Sequence, residues 1–109
     1  MGKNQPVPEV AIVIMHAELQ YFANAIIQLP YEEKNVEVLE RLAAEALTII
    51  NGLEKDDAAE KSIKIIKDEL FQLKKVRNNA NLTDRDVLLT ICFLNLKISM
   101  HNFIYKLIE

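Results

Sequence analysis

The fold of this chain is decided by residues 83–109, which read TDRDVLLTICFLNLKISMHNFIYKLIE. On a helical wheel the apolar residues of this segment fall into two arcs, which two narrow polar strips separate. The first arc holds Leu89, Cys92, Phe93, Leu96, Met100, Phe103, Ile104 and Leu107, and the second holds Val87, Ile91, Leu94, Ile98 and Tyr105. A helix that is apolar on two sides needs partners on two sides. The segment therefore predicts a bundle helix with apolar surface to spare.

The rest of the chain has the same helical character. Apolar residues recur three and four positions apart in each segment, and short turn-forming stretches separate the segments. The predicted helices cover about residues 8–28, 32–51, 57–78 and 83–108.

Residues at the segment boundaries supply the expected start and stop signals. Pro8 suits the first position of a helix, and Pro30 ends that helix because the residue before a proline is pushed out of the helical region. Gly52 is predicted to cap the second helix in the left-handed conformation. Asp57 and Thr83, each followed three residues later by an acid, are predicted to cap the third and fourth helices in capping-box patterns.

Length and composition fit one domain built from these helices. The chain has 109 residues, half of them apolar, with only 2 Gly and 3 Pro to supply turns. That length accommodates one hydrophobic core, and short links make neighbouring helices antiparallel. We predict an all-α fold, a single domain over residues 1–109 that forms an antiparallel up-down-up-down four-helix bundle.

Charge, cysteine content and hydropathy restrict the classes of partner. The net charge is −3 and no cationic cluster stands out, which argues against nucleic-acid binding. Polar residues, including His16 and Glu18, interrupt the apolar run of residues 10–29, so neither a signal peptide nor membrane insertion is expected. The single Cys92 cannot form an internal disulfide, which favours a reducing compartment, and we predict a cytoplasmic protein.

Signatures of cofactors and catalysis are missing from the sequence. His16 and His101 are isolated and neither follows a Glu at the spacing that di-iron bundles use. With two glycines in the chain, there is no glycine-rich phosphate loop. Cys92 stands in a core pattern without a basic neighbour to activate it. We predict no metal, no cofactor and no enzymatic activity.

The surplus apolar surface of the last helix favours a protein–protein interaction module. We expect it to form a homodimer or to dock a partner helix through this C-terminal helix, because apolar side chains left in water promote association. The residues predicted to form the interface are Phe103, Ile104, Tyr105 and Leu107.

Two alternatives remain open. Glu18 falls on the apolar arc of the first helix, so it and Tyr21 are candidates to line an apolar pocket in a ligand-binding or catalytic bundle. The chain is also similar in length and bundle form to small bacteriocin-immunity proteins. That likeness implies a toxin–antitoxin or immunity component whose activity is to bind a cognate protein.

Overall fold

Four helices account for most of the described chain. The computed structural model describes residues 8–109, and within that range it contains helices and no strand. A single 3₁₀ turn, Glu33–Asn35, leads into the second helix. The helices are α1 (Glu9–Gln28), α2 (Val36–Asn51), α3 (Asp57–Arg77) and α4 (Arg85–Ile108). The predicted all-α fold is confirmed; residues 1–7 of the predicted domain lie outside the described range.

The helices form a ring in chain order. Each helix packs on the next, α4 packs back on α1, and α2 also touches α4 across the centre of the bundle. Bonds between distant residues give the directions: Arg77 at the end of α3 reaches Glu40 near the start of α2, and Tyr105 near the end of α4 reaches Asn24 in α1. The predicted up-down-up-down bundle is therefore what the chain forms.

The core comes from one stripe of each helix. In α2 and α3 it follows the three-and-four spacing of the sequence, because these helices have only one apolar face. In α4 the first apolar arc turns inward. The buried apolar residues are Leu19, Ala23, Ile26, Val36, Leu39, Ala43, Ala46, Ile50, Ile63, Ile66, Leu70, Leu73, Val76, Leu89, Phe93, Leu96, Met100, Phe103 and Ile104.

Two predicted N-terminal caps are corrected by the structure. The cap of α3 is Asp56, whose Oδ1 accepts a hydrogen bond from the Ala59 backbone N–H at 2.8 Å, whereas Asp57 is already helical. The residue before α4 is Asp84, which has a left-handed φ of 58° and makes no side-chain cap bond. Thr83 lies one residue too early to serve as the cap. Neighbouring residues of similar type compete for a cap, and backbone geometry decides between them.

The end of α2 also differs from the prediction. Gly52 has a φ of −83°, in the right-handed region rather than the left-handed one. The Lys55 ammonium instead donates to the carbonyl oxygens of Leu53 at 2.6 Å, Ile50 at 3.2 Å and Asn51 at 3.3 Å. A cation placed on the free carbonyls of a helix end satisfies them without a left-handed residue.

Candidate interaction surfaces

The antiparallel neighbours α1 and α4 are offset along their length. The Lys97 ammonium, in the middle of α4, donates to the carbonyl oxygen of Leu29, which follows the last residue of α1, at 2.7 Å. Near the end of α4, the Tyr105 hydroxyl donates to Oδ1 of Asn24 at 2.7 Å. The first turns of α4 therefore extend past the end of α1, and the first turns of α1 extend past the end of α4.

The second apolar arc of α4 lies opposite the arc that fills the core and remains in water. Val87, Ile91, Leu94 and Ile98 remain 59%, 49%, 40% and 51% exposed. They follow one another at intervals of four, three and four residues, the spacing of a coiled-coil contact line. We call these four residues the α4 seam. The positions beside it include Thr90 and Asn95, so uncharged side chains border it.

A second exposed line of the same spacing lies on α1. Val10, Ile14, Ala17 and Tyr21 are again four, three and four residues apart, and all four are exposed. We call these residues the α1 seam. Its small central residue is Ala17, which lines a shallow depression together with Ile14, Glu18, Tyr21 and Phe22.

The four residues predicted to form the interface lie elsewhere. Phe103 and Ile104 belong to the core, with 8% and 0% of their surfaces exposed. Leu107 is half-buried against the core, and half-buried Tyr105 packs on the His101 ring at 4.8 Å. The exposed apolar surface of α4 is thus the seam toward its start. The helical wheel separates the two arcs, but no local feature of the sequence distinguishes the buried arc from the exposed one.

The structure places Glu18 and Tyr21 on the same surface. Both are exposed, and they form part of the rim of the α1 depression. The depression is open, so Glu18 is not enclosed as the ligand-binding alternative requires. His16 is half-buried on the same helix.

One buried charged residue was missed by sequence reasoning. Glu40 is 6% exposed, and its two carboxylate oxygens accept from Arg77 Nε at 2.6 Å and Nη2 at 2.9 Å. A second acid, Glu37, lies 3.4 Å from Arg77 Nη1. Hydrogen bonding to Glu40 raises the pKa of the Arg77 guanidinium above its ordinary value. The pair joins α2 to α3, and both partners follow helix patterns that look like ordinary surface positions.

A polar contact also lies between α3 and α4. The Ser99 hydroxyl donates to Glu69 Oε2 at 3.2 Å, while Glu69 Oε1 is buried without a hydrogen-bond partner among residues 8–109. Burial raises the pKa of Glu69, although the bond from Ser99 opposes the shift. Burial, aided by the nearby Glu69 charge, also raises the pKa of Cys92. A thiol that holds its proton is a poor nucleophile.

Among residues 8–109, no three or more His, Cys, Asp or Glu side chains come together in a group that could hold a metal ion.

By length and composition, α1 and α4 are each apolar enough to cross a membrane. The most apolar 18-residue stretch of each helix has a mean hydropathy of 1.5. Of these stretches, 17% is buried within the fold in α1 and 33% in α4. The polar residues of α1 thus do not lower its hydropathy enough to exclude a span. The expectation of no membrane insertion stays a prediction.

The chain has no significant match among protein-family models, curated proteins or solved structures.

Proposed function

We propose that this chain is a non-enzymatic helical interaction module that associates with a second copy of itself through the α4 seam. The observation that carries the proposal is the line of four exposed aliphatic residues, Val87, Ile91, Leu94 and Ile98, on a helix whose opposite side fills the core. Its regular spacing matches the geometry with which one helix packs against another. As part of the same proposal, the protein works in the cytoplasm, where its single half-buried cysteine stays reduced.

The size of the seam sets the expected affinity. The four exposed fractions together equal about two whole aliphatic side chains, worth about 3–6 kcal/mol for each copy that buries them. Association itself costs about 4–15 kcal/mol in lost translational and rotational freedom. The net gain is therefore small, and we expect a dissociation constant in the micromolar range or weaker.

The test is sedimentation velocity of the wild-type protein across a concentration series that brackets this range. Ile91→Glu places a charge in the seam and should remove association, while far-ultraviolet circular dichroism stays helical. The matched control is Phe71→Glu, because Phe71 is also an exposed apolar residue, 60% accessible on α3. The control should associate like the wild type.

Two outcomes would overturn the proposal. The wild type could remain a monomer of 12.5 kDa at the highest concentration, or Ile91→Glu and Phe71→Glu could behave alike. Flotation with phosphatidylcholine vesicles tests the other candidate occupant of the seam, a lipid bilayer. If the wild type is monomeric and floats with the vesicles, and the Ile91→Glu variant does not float, the partner is a bilayer instead.

A further inference from the structure

We propose that the cleft between α3 and α4 binds a small amphipathic carboxylate, a medium-chain fatty acid, with its carboxylate beside Lys106. The cleft has a volume of about 310 Å³. A smaller recess of about 110 Å³ adjoins it and shares Ser62, Phe103 and Lys106 with it. No residue of the α4 seam lines either space. Binding in the cleft is therefore independent of the proposed self-association.

The interior of the cleft is apolar. Ser62 on α3 and Ser99 on α4 are too short to fill the boundary between the two helices, so the buried Ile66 and Phe103 form its floor. Ile65 lies along its wall and is 61% exposed. Burying such a side chain completely contributes about 1.5–3 kcal/mol, so an apolar chain that covers Ile65 gains binding energy there. Small-molecule sites have volumes of about 300–1,000 Å³ and combine an apolar lining with a few polar groups.

Three polar side chains line the same cleft. They are the hydroxyl of Ser62, the amide of Asn102 and the ammonium of Lys106. Among residues 8–109, none of these groups forms a side-chain hydrogen bond or an ion pair. Each can donate a hydrogen bond, and the ammonium adds a positive charge. A carboxylate, which only accepts hydrogen bonds, is complementary to this set.

The charges at the two ends of the cleft select the orientation of the ligand. At one end Ser99 is bonded to the acid Glu69, which disfavours a second carboxylate there. At the other end lies Lys106. Asp56 lines only the smaller recess, and its Oδ1 already accepts a hydrogen bond from the backbone N–H of Ala59. The ligand carboxylate therefore belongs at the Lys106 end, and the apolar chain runs toward Ser99.

The length of the cleft sets the length of the chain. Ser99 and Lys106 are two helical turns apart on α4, which is about 10 Å. An extended chain that advances about 1.2 Å per bond spans this distance with about eight carbons. Octanoate is therefore the probe that matches the cleft.

The first experiment is a titration of ¹⁵N-labelled protein with sodium octanoate, kept below its micelle concentration and followed by ¹H–¹⁵N correlation spectra. The largest shifts should fall on residues 62–66 of α3 and residues 99–106 of α4. Octan-1-ol has the same chain without the charge. It should bind about threefold to fivefold more weakly, which is the contribution of one exposed ion pair.

The second experiment reverses the charge at the carboxylate position. Lys106→Glu should weaken octanoate binding about tenfold, because an attraction is replaced by a repulsion, and should bind octylammonium more tightly than the wild type does. Ile65→Ala should weaken the binding of octanoate and octan-1-ol alike. The matched control is Lys75→Glu, which makes the same change of net charge at an exposed position of α3 outside the cleft. It should bind octanoate like the wild type.

Three results would overturn the assignment of the cleft. Octanoate could fail to bind, its largest shifts could fall on the α4 seam or scatter over the surface, or Lys106→Glu and Lys75→Glu could bind it equally. All three would leave the proposed self-association standing, because sedimentation of the wild type and of Ile91→Glu measures that property without octanoate.

Discussion

Replacing Arg77 by Met is expected to destabilise the fold strongly, because it leaves the buried carboxylate of Glu40 without its partner. Arg77 Nε and Nη2 donate to the two oxygens of Glu40 at 2.6 and 2.9 Å, and the Glu40 side chain is 7% exposed. The shortened side chain would lose both bonds at once. The other contacts of the Arg77 side chain are from Nη1 to Glu37 Oε1 at 3.4 Å and to Asn78 Oδ1 at 3.2 Å, and neither of these partners carries a positive charge.

The magnitude follows from burial. Removing one partner of a fully buried ion pair costs about 3–5 kcal/mol. The Arg77 side chain retains 26% of its exposure, so water reaches the site and screens part of this cost. We therefore expect a loss of about 2–3 kcal/mol, which for a domain of this size lowers Tm by about 10–15 °C.

The assay is urea unfolding followed by circular dichroism at one protein concentration, because self-association would add to the measured stability. Arg41→Met is the matched control, since Arg41 is exposed on α2; it should change the free energy of unfolding by less than about 0.5 kcal/mol. A double-mutant cycle with Glu40→Gln should give a coupling energy of about 1–3 kcal/mol. If Arg77→Met were as stable as Arg41→Met, the reasoning about this buried pair would be refuted.

Three further changes test individual contacts. Asp56→Ala should lower the free energy of unfolding by about 1 kcal/mol through loss of the α3 cap, and Asp57→Ala by less; the reverse order in urea unfolding would restore Asp57 as the cap. Burial raises the pKa of Glu69, so its contribution to stability is present in acid and is lost as pH rises through that folded pKa. Glu69→Gln should therefore flatten this part of the stability profile and make the protein slightly more stable at pH 7; an unchanged profile in urea unfolding across pH would contradict the assignment. Tyr105→Phe removes the hydroxyl bonded to Asn24 and should lower the free energy of unfolding by about 1 kcal/mol. A Tm equal to that of the wild type in thermal unfolding would contradict this prediction.

The structure supports sequence reasoning best where a helix has a single apolar face. The buried stripe of α3, from Ile63 to Leu73, and the α2 line from Val36 to Ile50 both follow from their spacing. The opposite faces of these helices carry charged and polar residues, so only one side of each can be buried. Periodicity alone then predicts which residues form the core.

The same reasoning stops at α4, where both arcs are apolar. The wheel does not distinguish Phe103 and Ile104, which are buried, from Ile91 and Ile98, which are exposed. The difference arises because the rest of the fold covers one side of α4, on which Leu89, Phe93 and Leu96 are also buried, and leaves the opposite side in water. No local property of the sequence shows which of the two arcs faces the other helices.

The sequence by itself determined the number of helices, their approximate ends and the sets of residues that share a face, because these depend on hydrogen bonds and side chains only a few positions apart. Only the tertiary structure decided which arc of α4 is buried, that Glu40 meets Arg77 across 37 positions of the chain, and that Glu18 remains at the surface. Burial and ion pairing depend on neighbours that folding brings from distant parts of the chain. The candidate interaction surfaces of this protein are the apolar faces for which folding provides no such neighbour.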